Sequence, residues 1–256
     1  MVSTGGGAVV SDLWVVVPAY NEAAGIGATL HALAAQTDRD FTLVVVDNGS
    51  TDRTAQVVRD QAGDLRLHVV DEPRKGTGAA ADTGMRFAIA HGATHLARTD
   101  ADCLPLPDWT ERIRAAFADG LEFVAGALLA RTDEGVSRTH RALLSAAVEV
   151  AAAFGRIRPG NRGPQYLGPY VMAPGCNLAI TAKLYEAAGG FPRTAIEELH
   201  EDRALVNAVR QLTTRYGLRR DVRVRGSARR VRAWGLVRTL GWYADHRYRP
   251  AVVDIR

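Results

Sequence analysis

The sequence predicts an α/β fold with an open, mostly parallel sheet, on two observations. Short β-branched runs alternate with amphipathic helical stretches through the first hundred residues, and the conspicuous polar motifs follow directly on those runs. Such alternation implies right-handed crossovers and a ligand crevice beyond the carboxyl ends of the strands.

Residues 13–17, with Trp14, Val15, Val16 and Val17, run up to Pro18, and residues 43–46 are a second such run ended by Asp47. Runs of this kind suit strands buried on both faces of a parallel sheet. Between them, residues 22–35 carry Ile26, Leu30 and Leu33 at helical spacing, and a helix over 51–62 is expected with Asp52 near its start. A third strand at 67–70 leads to the loop Lys75-Gly76-Thr77-Gly78, a helix over 79–91 and a fourth strand over 95–99. Downstream the pattern loosens into a helix at 108–118, a strand at 123–129 and an alanine-rich helix at 138–154. The Gly/Pro-rich stretch 159–174 reads as a candidate lid that orders on substrate, ahead of a compact element at 175–180.

With 256 residues and 47% hydrophobic content, the chain can bury a sizeable core as one domain. Its longest apolar stretch, near 142–155, is interrupted by Glu149 and falls short of the roughly 20 apolar residues of a membrane span, so no transmembrane segment is expected. Cys103 and Cys176 lie far apart in sequence and make neither a disulfide framework nor a zinc site, which favours a reducing, cytoplasmic setting. The formal charge is +4, but arginine concentrates late, at Arg215, Arg219, Arg220, Arg223, Arg225, Arg229, Arg230 and Arg232. That density reads equally as a solvated face or as a surface for anionic partners such as phosphates, an acidic carrier or a lipid headgroup. No aromatic interleaving accompanies it, so nucleic acid is not expected as a partner.

Four motifs fall at the strand ends. Pro18-Ala19-Tyr20-Asn21-Glu22 follows the first strand, Asp47-Asn48-Gly49-Ser50-Thr51-Asp52 the second, Lys75-Gly76-Thr77-Gly78 the third and Asp100-Ala101-Asp102 the fourth. Each alone is ordinary turn chemistry. A carboxylate pair after a buried strand can also hold Mg²⁺ or Mn²⁺ against a diphosphate, since these ions take one or two carboxylates plus substrate phosphates.

In that order the four motifs resemble those of the family 2 glycosyltransferases. The resemblance continues through Gly175-Cys176-Asn177, which is similar to an acceptor-side element, Gly189-Gly190-Phe191-Pro192, similar to a Gly-Gly-Phe turn, and Glu201-Asp202, similar to the acidic pair that supplies the base. It covers roughly residues 13–210. It implies a GT-A (Rossmann-like) three-layer αβα sandwich, with a catalytic domain at 13–210 that divides at residue 102 into nucleotide-binding and acceptor-side halves, while Gly5-Gly6-Gly7 makes 1–12 read as a flexible leader. An arginine-rich extension at 211–256 would pack on the same domain.

The resemblance implies that Pro18, Tyr20, Glu22 and Asp47 line the nucleotide, with Lys75 and Gly76 near the ribose and diphosphate. Asp100 would meet the ribose or a metal-bound water, and Asp102 would ligate Mg²⁺ or Mn²⁺, with His246 as a second ligand. Gly175, Cys176, Asn177 and Glu201 would face the acceptor, and Asp202 would be the catalytic base of an inverting transfer. The donor would be a nucleotide-diphosphate sugar, a UDP-sugar first, and the acceptor a small molecule or a carrier-tethered intermediate; peripheral contact with a membrane stays open. One departure stands out: Asp82 replaces an amide and adds negative charge near the donor.

A sugar-1-phosphate nucleotidyltransferase would carry a Gly-rich, Arg-bearing loop where Pro18 to Glu22 stand. A dehydrogenase would show Gly-x-Gly-x-x-Gly there, and a P-loop enzyme Gly-x4-Gly-Lys-Ser/Thr. A polyprenyl-phosphate or cell-envelope transferase and a non-catalytic nucleotide-sugar binding module remain as rivals, and both Asp102 and Asp202 being present argues against the module.

Overall fold

The computed structural model describes residues 12–135, 137–193, 201–235 and 238. Its first half is a regular alternation: β1 (Leu13–Ala19), α1 (Ile26–Ala34), β2 (Thr42–Asp47), α2 (Thr54–Gln61), β3 (Arg66–Asp71), α3 (Thr77–Ala90) and β4 (His95–Arg98). The second half comprises β5 (Leu104–Pro105), α4 (Trp109–Ala118), β6 (Phe123–Ala130), α5 (Arg138–Ile157), β7 (Leu178–Thr181), α6 (Ala182–Ala187), α7 (Glu201–Leu212), β8 (Tyr216–Gly226) and α8 (Arg229–Trp234). A single 3₁₀ turn, Pro159–Asn161, lies in the stretch expected as a lid.

All eight strands form one sheet in the order β3-β2-β1-β4-β7-β6-β8-β5. The pairs β1·β2, β1·β4, β2·β3 and β6·β8 are parallel, whereas β7 runs antiparallel to both β4 and β6, and β5 to β8. The mostly parallel sandwich is as expected. Alternate side chains of each strand leave opposite faces, so the core divides in two. Trp14, Val16, Val44 and Val46 pack with Met85 of α3, Tyr185 of α6 and Val206 of α7. Leu13, Val15, Val17 and Val45 pack on the other face with Leu30 of α1, Val58 of α2 and Trp109 of α4. Helices cover both faces, which is the reason the strands read as continuous apolar runs rather than alternating ones.

The arginine-rich segment, expected as an extension, contains β8. Val222 and Val224 are buried while Arg223 and Arg225 alternate with them. Several of its arginines are ion-paired: Arg215 with Glu122, Arg219 with Asp119 and with Asp221 of the same strand, and Arg220 with Glu149. Among the described residues, no helix is long and apolar enough to cross a membrane.

The stretch 159–174 is tied down in this structure. Arg210 of α7, almost fully buried, donates to the carbonyls of Asn161 at 3.1 Å and Gly168 at 2.9 Å, and its guanidinium lies 4.1 Å from the Tyr166 ring centre.

Candidate active site

The turns after β1 and β2 are knitted together before any ligand is considered. Asn21 sits at positive φ (48°), a conformation asparagine tolerates better than most residues, and its side-chain oxygen accepts from the backbone N–H of Thr51 at 2.6 Å. The backbone N–H of Glu22 donates to Thr54 Oγ1 at 2.8 Å, and that of Ala23 to Asp52 at 3.1 Å. Asn48 bridges to the third loop, donating to the carbonyls of Glu72 and Arg74 and accepting from the N–H of Gly76 at 2.8 Å. Gly76, at φ 144°, lies in the left-handed region that a side chain would strain.

This frame brings Pro18, Tyr20, Asp47, Lys75 and Gly76 to the carboxyl edge of β1 to β3. Asp47 is aligned with Ala19 across the sheet and accepts from Ser50 N–H at 3.0 Å. Lys75 Nζ donates to the Tyr20 hydroxyl at 2.9 Å and lies 4.4 Å from its ring centre. Gly78 leaves room for the start of α7: a Cβ there would collide with the carbonyl oxygen of Pro192 and meet Glu201 Cβ at 3.3 Å.

Asp82 does not reach the donor side with its charge. It is 1% exposed, accepts from the Tyr185 hydroxyl at 2.8 Å, and is ion-paired by Arg86 at 2.9 Å and Arg193 at 3.3 Å. The carboxylate expected to alter the donor site is neutralised inside the fold.

The two carboxylates of Asp100-Ala101-Asp102 diverge. Asp100 lies 3.2 Å from Arg98, a guanidinium only 1% exposed that also reaches Glu201 at 3.5 Å. Asp102 turns the other way, to Arg229 Nη2 at 2.7 Å, and the same guanidinium is paired with Glu22. Burial pushes the Asp100 carboxyl up, and the cation of Arg98 only partly opposes it.

Asp202, in the first turn of α7, accepts from the N–H of Arg203 at 2.6 Å and from that of Gly175. Burial, reinforced by the charge of Glu201, pushes its carboxyl up to about 6, against the opposing pull of Arg98 and of those N–H groups. Tyr170 lies in the same field and is pushed up to about 12 by burial and by Asp202. Arg98 and Tyr170 were not singled out in the sequence; an arginine at the end of an otherwise apolar strand was the available signal.

The acceptor-side expectation divides. Gly175 lies against the Arg98 guanidinium, where a Cβ would stand 3.4 Å from Nη2. Cys176 is half-buried and raises the pKa of the buried Cys103 thiol, so cysteines distant in sequence are neighbours here; both are free thiols, and Cys103 Sγ donates to Asp102 Oδ1 at 3.4 Å. Asn177 is fully buried, and its amide is spent on the fold: it accepts from Trp109 Nε1 at 2.8 Å and donates to the carbonyls of Ala127 and Val222 at 2.9 and 3.0 Å. An acceptor cannot reach it, because it joins α4, β6 and β8. His246 lies outside the described residues.

Among the described residues no three His, Cys, Asp or Glu side chains converge as a cation site. Two carboxylates nevertheless do converge, since Glu22 and Asp102 share one cation, the guanidinium of Arg229. Two carboxylate donors fit Mg²⁺ or Mn²⁺ when a diphosphate supplies further oxygens. A hollow of about 600 Å³ between α1 and α2, lined by Gly27, His31, Arg39 and Gln61, contains none of these groups and is not the site.

An eight-stranded, mostly parallel sheet with charged motifs at its strand ends defines an open α/β protein whose ligand crevice lies beyond the carboxyl ends of the strands. Glycosyl transferase family 2 matches residues 14–178, more than half of the chain, and the chain belongs to that family. It is 35% identical over 117 residues to glycosyltransferase AglE of Haloferax volcanii, covering 44% of this chain and 38% of that one. It is 40% identical over 110 residues to validoxylamine A glucosyltransferase of Streptomyces hygroscopicus subsp. jinggangensis, covering 41% of this chain and 25% of that one. The match thus spans well under half of either relative's length. Among solved structures, the mannosyltransferase PcManGT of Pyrobaculum calidifontis, in complex with GDP-Man and Mn²⁺, superposes with a TM-score of 0.65 at 26% identity, over 93% of this chain and 63% of that one. TarS of S. aureus in complex with UDP-GlcNAc shares the fold, with a TM-score of 0.60 at 19% identity over 85% of this chain and 58% of that one.

Proposed function

We propose that this protein is an inverting glycosyltransferase that moves a sugar from a nucleotide-diphosphate sugar, a UDP-sugar first, to a hydroxyl or amine of a small-molecule or carrier-tethered acceptor. The reading is carried by one observation: the buried Arg98, at the end of the fourth strand, reaches both Asp100 and Glu201, which brings the first turn of α7, with Asp202 raised to about 6, against the end of that strand. Tyr20, Asp47, Lys75 and Gly76 bind and orient the nucleotide, with Lys75 neutralising phosphate charge. The acceptor atom forms its bond to the anomeric carbon on the face opposite the diphosphate. The bond from that carbon to the diphosphate oxygen breaks with its electron pair on the phosphate, and the acceptor proton passes to Asp202. A base with a pKa near the working pH combines a large ionised fraction with useful basicity.

Asp102, with Glu22, would hold a divalent cation. Bound there, Mg²⁺ or Mn²⁺ supplies Lewis-acid charge to the leaving diphosphate. Arg98 keeps Asp100 and Glu201 compensated so that Asp202 is left as the basic group.

A second reading, transfer to a polyprenyl phosphate, is favoured by the outward face of α5, where Leu143, Val150, Phe154 and Ile157 are all at least half exposed. Thermal shift with UDP-, GDP- and dTDP-sugars, with and without Mn²⁺, tests the donor site, because a ligand that binds the folded state raises the melting temperature. No shift with any donor refutes the reading. Turnover of the stabilising donor with a soluble hydroxyl or amine panel, compared with polyprenyl phosphate in detergent, separates the two acceptors. Binding without transfer or donor hydrolysis would leave a non-catalytic binding module.

A further inference from the structure

Arg229 stands 127 residues beyond Asp102 in the chain, yet its guanidinium joins Asp102 at 2.7 Å and Glu22 through both terminal nitrogens. The contact is held by a dedicated frame. Glu134, in the turn after β6, accepts from Ser227 Oγ at 2.6 Å and from the backbone N–H of Ala228 at 2.7 Å, fixing the residues just before Arg229. Arg131, at the start of the same turn, donates from Nη1 to the backbone carbonyl of Asp102 at 3.0 Å, is ion-paired through Nε with Glu134 at 3.4 Å, and donates its backbone N–H to Gly226 O at 3.1 Å. One turn therefore mounts both Asp102 and Arg229. Burial alone would lower the hold of Arg229 on its proton, but Glu22 and Asp102 outweigh it and keep the guanidinium charged.

We propose that Arg229 is a resident counter-ion of the Glu22–Asp102 pair: a guanidinium and a divalent cation exclude each other on these carboxylates, and the cation enters only when a diphosphate draws the guanidinium off. This rests on the donor-site reading above. The exclusion follows from the geometry, because Asp102 Oδ2 and both oxygens of Glu22 already face one positive charge. A diphosphate offers the same planar fork a stronger partner, since guanidinium pairs with phosphate oxygens by two parallel hydrogen bonds. The positive charge that the chain lends to its own carboxylates before the donor arrives then becomes a ligand for the donor.

The test is Mn²⁺ binding followed by the EPR signal of the free ion, on the full chain without nucleotide. Wild type is expected to bind Mn²⁺ weakly, and Arg229→Gln about tenfold or more tightly, within the 5–150-fold range typical of coupled sites. Glu134→Gln, which loosens the frame without touching the carboxylates, should tighten Mn²⁺ binding by a smaller factor, and Asp102→Asn in the Arg229→Gln background should abolish it. Circular dichroism melts confirm that each variant is folded. Equal Mn²⁺ affinity in folded wild type and Arg229→Gln, with UDP-loaded wild type binding Mn²⁺, overturns the inference and leaves the donor site standing. Failure of every protein to bind Mn²⁺ even with UDP overturns both.

Discussion

Arg98 Nη2 lies 3.5 Å from Glu201 Oε1, joining the end of β4 to the first turn of α7 across 103 residues of sequence. The guanidinium also reaches Asp100, sits 5.1 Å from the Phe191 ring centre, and has one terminal nitrogen, Nη1, without a hydrogen-bond partner among the described residues. A buried cation with one unsaturated donor, placed among three carboxylates, sets the electrostatics of the proposed base.

Replacing Arg98 with Met should therefore move the acid limb of the rate profile upward. Burial first, and Glu201 next, raise Asp202 to about 6, while Arg98 lowers it. Because the base must be ionised, kcat/KM in wild type should fall as pH drops through about 6. Without Arg98 the limb should rise by about 1 unit or more, the usual effect of removing an opposite charge nearby. Initial-rate pH profiles of wild type, Arg98→Met and Arg98→Lys check this, and an unmoved limb in a folded Arg98→Met protein would rule out a tuning role.

Asp202→Asn should separate chemistry from stability. Transfer should fall by roughly 10²–10⁴-fold, the range of a lost general base, with the thermal shift by UDP retained. The folded carboxyl binds its proton more tightly than the ordinary value of 3.8, so ionising it opposes folding. That penalty is absent below about pH 4, grows as pH rises, and is complete above about 6. The amide should thus raise stability at pH 7 by about 3 kcal/mol, since the folded carboxyl stands roughly two pH units above its ordinary value, and by nothing at pH 3.5. Urea unfolding at the two pH values checks the sign.

The order of strands and helices through Arg98 was legible because β1, β2 and β4 are buried on both faces and each turn carries its own polar signature. The positions of Tyr20, Asp47, Lys75 and Asp102 followed from that regularity. The rest depended on contacts that no local pattern reports. Asp82 looked like an intruding charge until Arg86 and Arg193 were seen around it, and Asn177 looked accessible until Trp109, Ala127 and Val222 closed on its amide. The arginine-rich segment held a readable clue in the alternation of Val222 and Val224 with Arg223 and Arg225, a two-residue period hidden by the density of charge. The partnership of Asp102 with Arg229 carries no sequence signal at all.

Asn177→Ala should behave as a lesion of the fold rather than of acceptor binding. It strands Trp109 Nε1 and two buried carbonyls, each costing about 1–3 kcal/mol when unsatisfied. Urea midpoints should drop accordingly, while KM for the acceptor, measured well below the melting temperature, should stay within about twofold of wild type, well under the 1.4 kcal/mol that a tenfold change represents. A large rise in acceptor KM with unchanged stability would instead place the amide against the acceptor.

Arg210→Ala tests whether the stretch 159–174 is held from α7. The guanidinium gathers the carbonyls of Asn161 and Gly168, and the Arg210 carbonyl accepts from Leu167 N–H at 2.8 Å, so the main-chain contact survives the substitution while the side-chain contacts do not. The stretch should loosen without the whole domain unfolding, since local opening is governed by the contacts of the segment itself. Trypsin should then cut faster after Arg162 in the variant than in wild type at a temperature where both give the same circular dichroism. The nearby Tyr170, whose ring centre is 5.6 Å from Arg210, ties this stretch to Asp202, so cleavage should slow again if an acceptor analogue seats against that tyrosine. Equal cleavage rates with and without Arg210 would mean that packing of Tyr170 in the core, and not the guanidinium, holds the stretch.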